Sequence, residues 1–374
     1  MKHRVLLTSL SLLCCAAAIS LWRVEPVHGA TASAPANWNQ QTAAAYLDSR
    51  EIWWQQWPRA QKDHGTICIS CHTVVPYAMA RPALRHSLSE TAPAAPEKIM
   101  MDSVEKRVTN WSEMVPFYSD EKSGPGKTAE SHATEAVLNA IILAANDARQ
   151  GHLRPITRTA FDAAWQLQLT SGDNAGGWQW QDFHLGPWES SQSAYQGAAL
   201  LLYEAGNAPD HYAIDPSVRP HIEHLRDYIR RQYAAQPLMN QLYVLWASTK
   251  IPGLLTKDER KDLLTKLQIS QQPDGGWQLA SLTDWKRVDD SAVPTETDGF
   301  ATSLAVLVME ESGESRRNTT LQRGLAWIEQ HQQKEGNWLA ASMNKQRDPA
   351  SDVGRFMSDA ATAYAVLALE KASN

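Results

Sequence analysis

The sequence predicts an all-α protein, a ring of about six helical hairpins, and three observations carry that prediction. A Gln, Gly and Trp turn recurs three times between about residues 157 and 372. Each turn is followed by a helix that is small and apolar on nearly every face. The chain has 15 Trp against 5 Phe, and many of the indoles fall at or beside those turns. A helix apolar all round is a buried helix, so the repeating unit reads as an outer amphipathic helix, a turn, and an inner buried helix.

The three regular copies place the outer helix, the turn Gln and the Trp in "FDAAWQLQLTSGDNAGGWQW" from Phe161, "LLTKLQISQQPDGGWQL" from Leu263 and "RGLAWIEQHQQKEGNW" from Arg323. Gly supplies the backbone conformation that stops the outer helix, and the Gln amide can tie the turn to the neighbouring Trp. Their inner helices are "SAYQGAALLLYEAG" from Ser193, "DGFATSLAVLVMEESG" from Asp298 and "DAATAYAVLALEKA" from Asp359. Less regular copies complete the set: "AAAYLDSREIWWQQW" from Ala43 with "SCHTVVPYAMARPALR", "SVEKRVTNW" with "TEAVLNAIILAANDA" from Thr134, and "HIEHLRDYIRRQY" from His221 with "LMNQLYVLWAS". Their spacing of roughly 45 to 60 residues exceeds the usual solenoid repeat, and six such hairpins can close into a ring.

The turns at Gln168 with Gly177 and Trp178, Gln271 with Gly276 and Trp277, and Gln332 with Gly336 and Trp338 resemble the QW motifs of the squalene-hopene cyclase superfamily. The resemblance spans about residues 157–372 and extends by repeat logic back to Thr42. It implies an α/α toroid, related to terpenoid cyclases and prenyltransferases, whose inner helices line a central cavity. Such turns specify fold and not chemistry. The Asp-x-Asp-Asp acid of the cyclases is incomplete here: Asp289 and Asp290 are present, but Arg287 and Val288 precede them. The prenyltransferase zinc set lacks its cysteine, because no Cys lies in the later repeats.

The second signal is "TICISCHTVVPYAM", with Cys68 and Cys71 two residues apart and His72 directly after. A redox dithiol needs a βαβ context, for which no strands are expected. A zinc site needs two further ligands, and a plain disulfide leaves His72 without a role. The segment, taken as residues 64–79, resembles a c-type cytochrome attachment site. That resemblance implies covalent haem c, with thioethers at Cys68 and Cys71 and His72 as the proximal iron ligand. Met114, His132, His184 and Met79 are the candidates for the opposite axial position. The implied role is electron transfer, or haem-linked redox on a hydrophobic or extended ligand in the toroid, with an unidentified electron partner.

The N-terminus agrees with that compartment. Lys2 and Arg4, an apolar run from Val5 to Trp22, and small residues at Gly29 and Ala30 form the pattern of a secretory signal over 1–30, followed by a linker over 31–41. Export to the periplasm or cell envelope follows, with the toroid over 42–374 and membrane attachment only through an uncleaved leader. Cleavage would remove Cys14 and Cys15 and leave Cys68 and Cys71 as the only thiols. A net charge of −6 with no basic stripe excludes nucleic acid as a partner class.

Acidic residues at the starts of inner helices, Glu135, Glu189, Glu296, Asp298 and Asp359, have two readings. They cap helices and complement the macrodipole, or they rim one mouth of the cavity. The rim reading supports two alternatives without haem: an isomerase or lyase using these acids, and a toroid that binds a terpenoid or glycan without turnover.

Overall fold

A computed structural model describes residues 38–119 and 124–373. The proposed signal and most of the proposed linker lie outside these residues. The described residues form thirteen α-helices and one two-residue strand pair. The ring prediction is met hairpin by hairpin. The outer helices are α1 (Gln40–Gln56), α3 (Ala95–Thr109), α5 (Pro155–Gln166), α7 (Arg219–Gln232), α9 (Lys257–Ser270) and α12 (Thr319–His331). Their inner partners are α2 (Val74–Ser87), α4 (Gly124–Gln150), α6 (Ser193–Asn207), α8 (Leu238–Ala247), α11 (Gly299–Glu311) and α13 (Phe356–Ser373), with a single turn, α10 (Leu279–Leu282), beside α11. Each inner helix packs on the next, and α13 returns to α2, so the inner layer is a closed ring.

Periodicity explains the two layers. Outer helix α7 buries Ile222, Leu225 and Ile229, one face at helical spacing, and leaves its arginines to solvent. Inner helix α11 buries every residue from Gly299 to Glu310, as a helix enclosed on all sides must.

The QW turns are hydrogen-bonded staples that repeat atom for atom. Gln168, Gln271 and Gln332 donate to the carbonyls of Gly176, Gly275 and Gly336 in their own turns, at 2.9, 2.8 and 3.1 Å. The same amides donate to His221, Thr320 and Asn39, at or beside the start of the next outer helix, at 3.2, 2.8 and 2.9 Å. Trp178, Trp277 and Trp338 return their indole N–H to the outer helix just left, at the carbonyls of Ala164, Leu267 and Ile328. The left-handed glycines are Gly176, Gly275 and Gly336, with φ of 94, 101 and 97°. In the first two turns this is the residue before the Gly paired with Trp by the sequence pattern.

The third staple closes the ring. Gln332 bonds both polar groups of the Asn39 backbone, accepting from its N–H at 2.7 Å and donating to its carbonyl at 2.9 Å. A Cβ on Gly336 would lie 2.1 Å from the Thr42 carbonyl oxygen. The C-terminal turn and the first helix therefore meet backbone to backbone, which only glycine permits.

Two buried ion pairs fix the first hairpins. Arg50 of α1 pairs with Asp359 of α13 at 2.8 Å, and Arg107 of α3 pairs with Glu135 of α4. Arg107 is fully buried and also reaches Asp63 at 3.1 Å, which ties the segment before Cys68 to the outer layer.

Candidate functional site

The segment holding Cys68, Cys71 and His72 is a strapped loop at the N-terminal end of α2. It enters through strands β1 (Gln61–Lys62) and β2 (Thr66–Ile67), paired antiparallel, where no strand was expected. His64 and Gly65 turn the chain with φ of 54 and 64°. The Ile67 amide donates to Ser103, the Cys68 amide to the Ala60 carbonyl, and Trp54 donates its indole N–H to the Cys68 carbonyl at 2.7 Å. Ser70 then caps α2, accepting from Val74 at 3.1 Å. Hydrogen bonds to both polar groups of its backbone thus set the Cys68 sulfur.

Both cysteines are free thiols. Burial pushes the Cys68 thiol up to about 12 and raises Cys71 further, so neither has the thiolate character a redox dithiol requires.

His72 has a defined tautomer. Thr73 Oγ1 lies 2.8 Å from Asp359 Oδ2, which can only accept, so the Thr73 hydroxyl proton is committed there. Thr73 Oγ1 must then accept from His72 Nδ1, 2.9 Å away. Nδ1 carries the proton and Nε2 is a bare lone pair. Burial, with Arg50 and Arg347 nearby, lowers the imidazole pKa to about 3 and keeps it neutral. Its ring stacks on Phe356 at 3.7 Å and 21°, meets Trp54 edge-on at 5.1 Å, and lies 5.7 Å from Trp188.

These residues wall a cavity of about 660 Å³ at the mouth where the inner helices begin. Its aromatic side comprises Trp54, Trp57, Tyr118, Phe183, Trp188 and Phe356. Its polar side comprises Arg59, Asn344, Lys345, Arg347 and Glu189. Among the described residues Glu189 is the single carboxyl in the lining, and burial raises it to about 7 against the pull of Lys127 and Arg347.

The structure separates the acidic candidates. Of the five, Glu189 alone lines this mouth. Asp298 caps α11, accepting from Phe300 and Ala301 at 2.8 and 3.1 Å, and also takes the Ala341 amide at 2.8 Å. Glu135 is spent on Arg107, Asp359 on Arg50, Tyr46 and Thr73, and Glu296 is exposed. The axial candidates do not converge on His72. Met79 lines the opposite mouth, Met114 is buried away from the cavity lining, His132 stacks on Trp111 at 4.3 Å, and His184 is exposed beside Asp182. The sequence reading missed Trp57, Arg347, Phe356 and Met357, all in the lining. The Trp53, Trp54 and Trp57 cluster was a visible signal; the loop before α13 offers no motif.

No family model and no curated protein matches this chain. Solved structures do. An inactive variant of an α-1,6-mannanase of Salegentibacter sp. HEL1_6, in complex with α-1,6-mannotriose, is similar at a TM-score of 0.51 and 9% identity, over 89% of this chain and 100% of that one. A glycosidase variant is similar at 0.50 and 11% identity, over 89% and 98%. At such identity the likeness establishes the α/α toroid and nothing finer.

These findings correct the haem redox reading. The toroid expected from the QW resemblance stands, and the similar structures reported above are glycosidases. The Cys68 to His72 segment is part of the toroid wall with no cytochrome fold around it, and no group of three or more His, Cys, Asp or Glu among the described residues is placed to hold a metal ion. The readings as a c-type cytochrome, an iron or metal-binding carrier and an electron-transfer protein are withdrawn, and the glycan alternative takes their place.

Proposed function

We propose that this chain is an exported toroid protein that binds an extended carbohydrate in the cavity beside His72 and does not cleave it. The observation that carries the reading is a half-aromatic, half-polar cavity of about 660 Å³. The C–H faces of pyranose rings pack on indole and phenyl faces, while their hydroxyls need donors and acceptors at the edge. Trp57 and Phe356 supply the former; Arg59, Asn344, Arg347 and Glu189 supply the latter. The volume lies within the range of small-ligand sites.

The binding reading is preferred to a hydrolytic one on the described lining: glycoside hydrolysis uses a pair of carboxyls across the scissile bond, and among the described residues Glu189 is the carboxyl this lining offers. Export rests on the leader pattern over 1–30. The mannotriose complex of the similar mannanase selects the first ligand to try.

Isothermal titration with α-1,6-mannotriose, followed by other neutral trisaccharides, tests the proposal. The expected result is saturable binding, weakened about tenfold or more by Trp57→Ala, with no new reducing ends. A tenfold loss corresponds to about 1.4 kcal/mol. Absence of binding across the panel would overturn it.

One observation favours a second occupant of the same cavity. Cys68 and the bare Nε2 of His72 lie at its wall and Cys71 lines the small pocket adjoining it, and this donor set fits covalent haem c. We propose this as attachment only, with no redox role: Cys68 and Cys71 would hold the group and Asp359, through Thr73, would orient the imidazole. Bound there, haem would supply a flat hydrophobic surface and an iron centre. Intact mass and a pyridine haemochrome spectrum on protein made with a c-type maturation system decide it. One haem of added mass removes the sugar reading from this cavity, whereas unmodified thiols remove the haem.

A further inference from the structure

We infer that the opposite mouth of the toroid is a second ligand site, for a small organic amine that also carries hydroxyls, the class of an amino sugar. The C-terminal portions of all six inner helices, α2, α4, α6, α8, α11 and α13, line one cavity of about 330 Å³ there. The carbonyl ends of six helices favour positive charge.

Two buried polar atoms in that lining lack partners. Glu204 is 1% exposed, and its Oε2 accepts no hydrogen bond. Trp246 is 2% exposed, and its Nε1 makes no hydrogen bond of ordinary geometry, the Tyr203 hydroxyl being its polar neighbour. Buried polar groups are ordinarily satisfied, and leaving one unmade costs about 1 to 3 kcal/mol. The pair asks for a ligand offering a donor to a carboxylate and an acceptor to an indole N–H, which an ammonium beside a hydroxyl provides. Tyr203 and Trp246, with ring centroids 4.9 Å apart, both line the cavity and supply aromatic surface of the kind that attracts a cation.

The protein's own cations act on Glu204 through charge, but none donates a hydrogen bond to its Oε2. Arg149 donates to the Met79 carbonyl at 2.6 Å, and Lys371 pairs with Glu311 at 3.1 Å. Lys250 lies over the Tyr203 ring at 5.9 Å. Burial raises Glu204 to about 8 despite Arg149, and a bound ammonium would favour its ionised form.

The two mouths are separate. Beneath the first, Tyr364 borders a small pocket with Cys71; its hydroxyl meets that of Tyr243 at 2.9 Å, and its ring lies 6.2 Å from Trp246. The buried tyrosine pair closes the axis between them. The site is thus independent of the carbohydrate proposal.

Titration of the full chain with glucosamine, against glucose and N-acetylglucosamine, tests the inference. The expected result is saturable glucosamine binding, at least tenfold tighter than glucose or the N-acetyl form, lost in Glu204→Gln, weakened in Trp246→Phe and unchanged in Trp57→Ala. Thermal melts of the variants check folding, and Glu204→Gln, nearly isosteric, keeps the test readable if Trp246→Phe is unstable. Equal binding of glucose, retained binding in Glu204→Gln, loss in Trp57→Ala, or no binding of glucosamine would each overturn it.

Discussion

At the scale of residues, the molecule keeps several ionisable groups in unusual states, and each state has a cause that can be removed. Glu51 is fully buried, accepts from Gln55 at 3.0 Å through one oxygen and has no partner on the other. Burial raises its pKa to about 8, whereas the unfolded chain holds a glutamate near 4.3. Between those values the folded state carries a proton the unfolded state lacks. Its contribution to stability is therefore full below about pH 4 and falls as pH rises through the window to pH 8, by about 1.4 kcal/mol per unit. Denaturant melts of Glu51→Gln should show a flatter pH profile than the wild type between pH 5 and 8; identical profiles would place the proton elsewhere. Thr73 offers a second case. Thr73→Val strips one partner from Asp359 and from His72 together, with an expected loss of about 1 to 3 kcal/mol in the same melts. In the buried pair beneath, Asp359→Asn leaves Arg50 with Asp352 at 2.9 Å as its remaining carboxylate and should lose about 1 to 3 kcal/mol.

At the scale of elements, the QW turns make a periodic staple out of three residue types. The turn Gln reaches forward to the next outer helix while the indole reaches back to the previous one. Removing Gln332 should cost more than removing an interior copy, because it alone bonds both polar groups of the Asn39 backbone. Gln332→Ala is expected to lower the melting temperature more than Gln271→Ala, and Gly336→Ala more still, since its Cβ would meet the Thr42 carbonyl at 2.1 Å. The hairpins and these turns were legible in the sequence because burial on all faces and a left-handed Gly are local demands that leave a local trace. The acids were legible as a set but not individually. Glu135, Asp298 and Asp359 look like Glu189 in the sequence, and only the cross-ring partners Arg107, Ala341 and Arg50 tell them apart. Those partners are 28, 43 and 309 residues away, beyond any local pattern.

At the scale of the whole molecule, ring closure produces two mouths of different character from one set of parallel inner helices. Their N-terminal ends meet long connecting segments, which carry Trp188, Glu189, Asn344 and Arg347 into one cavity. Their C-terminal ends meet short turns, and the opposite cavity is built from the helices themselves. Cys68 and His72 line the first mouth, where the sequence reading weighed five residues as a cytochrome. The wall opposite them, from Phe356 and Arg347, comes from the last hairpin and carries no motif, so the cavity's aromatic and polar halves could not be assembled from the chain alone. A motif states which atoms are adjacent in sequence, and the ring decides what they face.

The most direct measurement is a crystal structure of the full chain soaked with α-1,6-mannotriose. The account predicts sugar density in the first mouth, with a pyranose face against Trp57 or Phe356 and hydroxyls within hydrogen-bond distance of Arg347 or Glu189. Density for a macrocycle joined to Cys68 and Cys71, or a first mouth without sugar at saturating ligand, would contradict it.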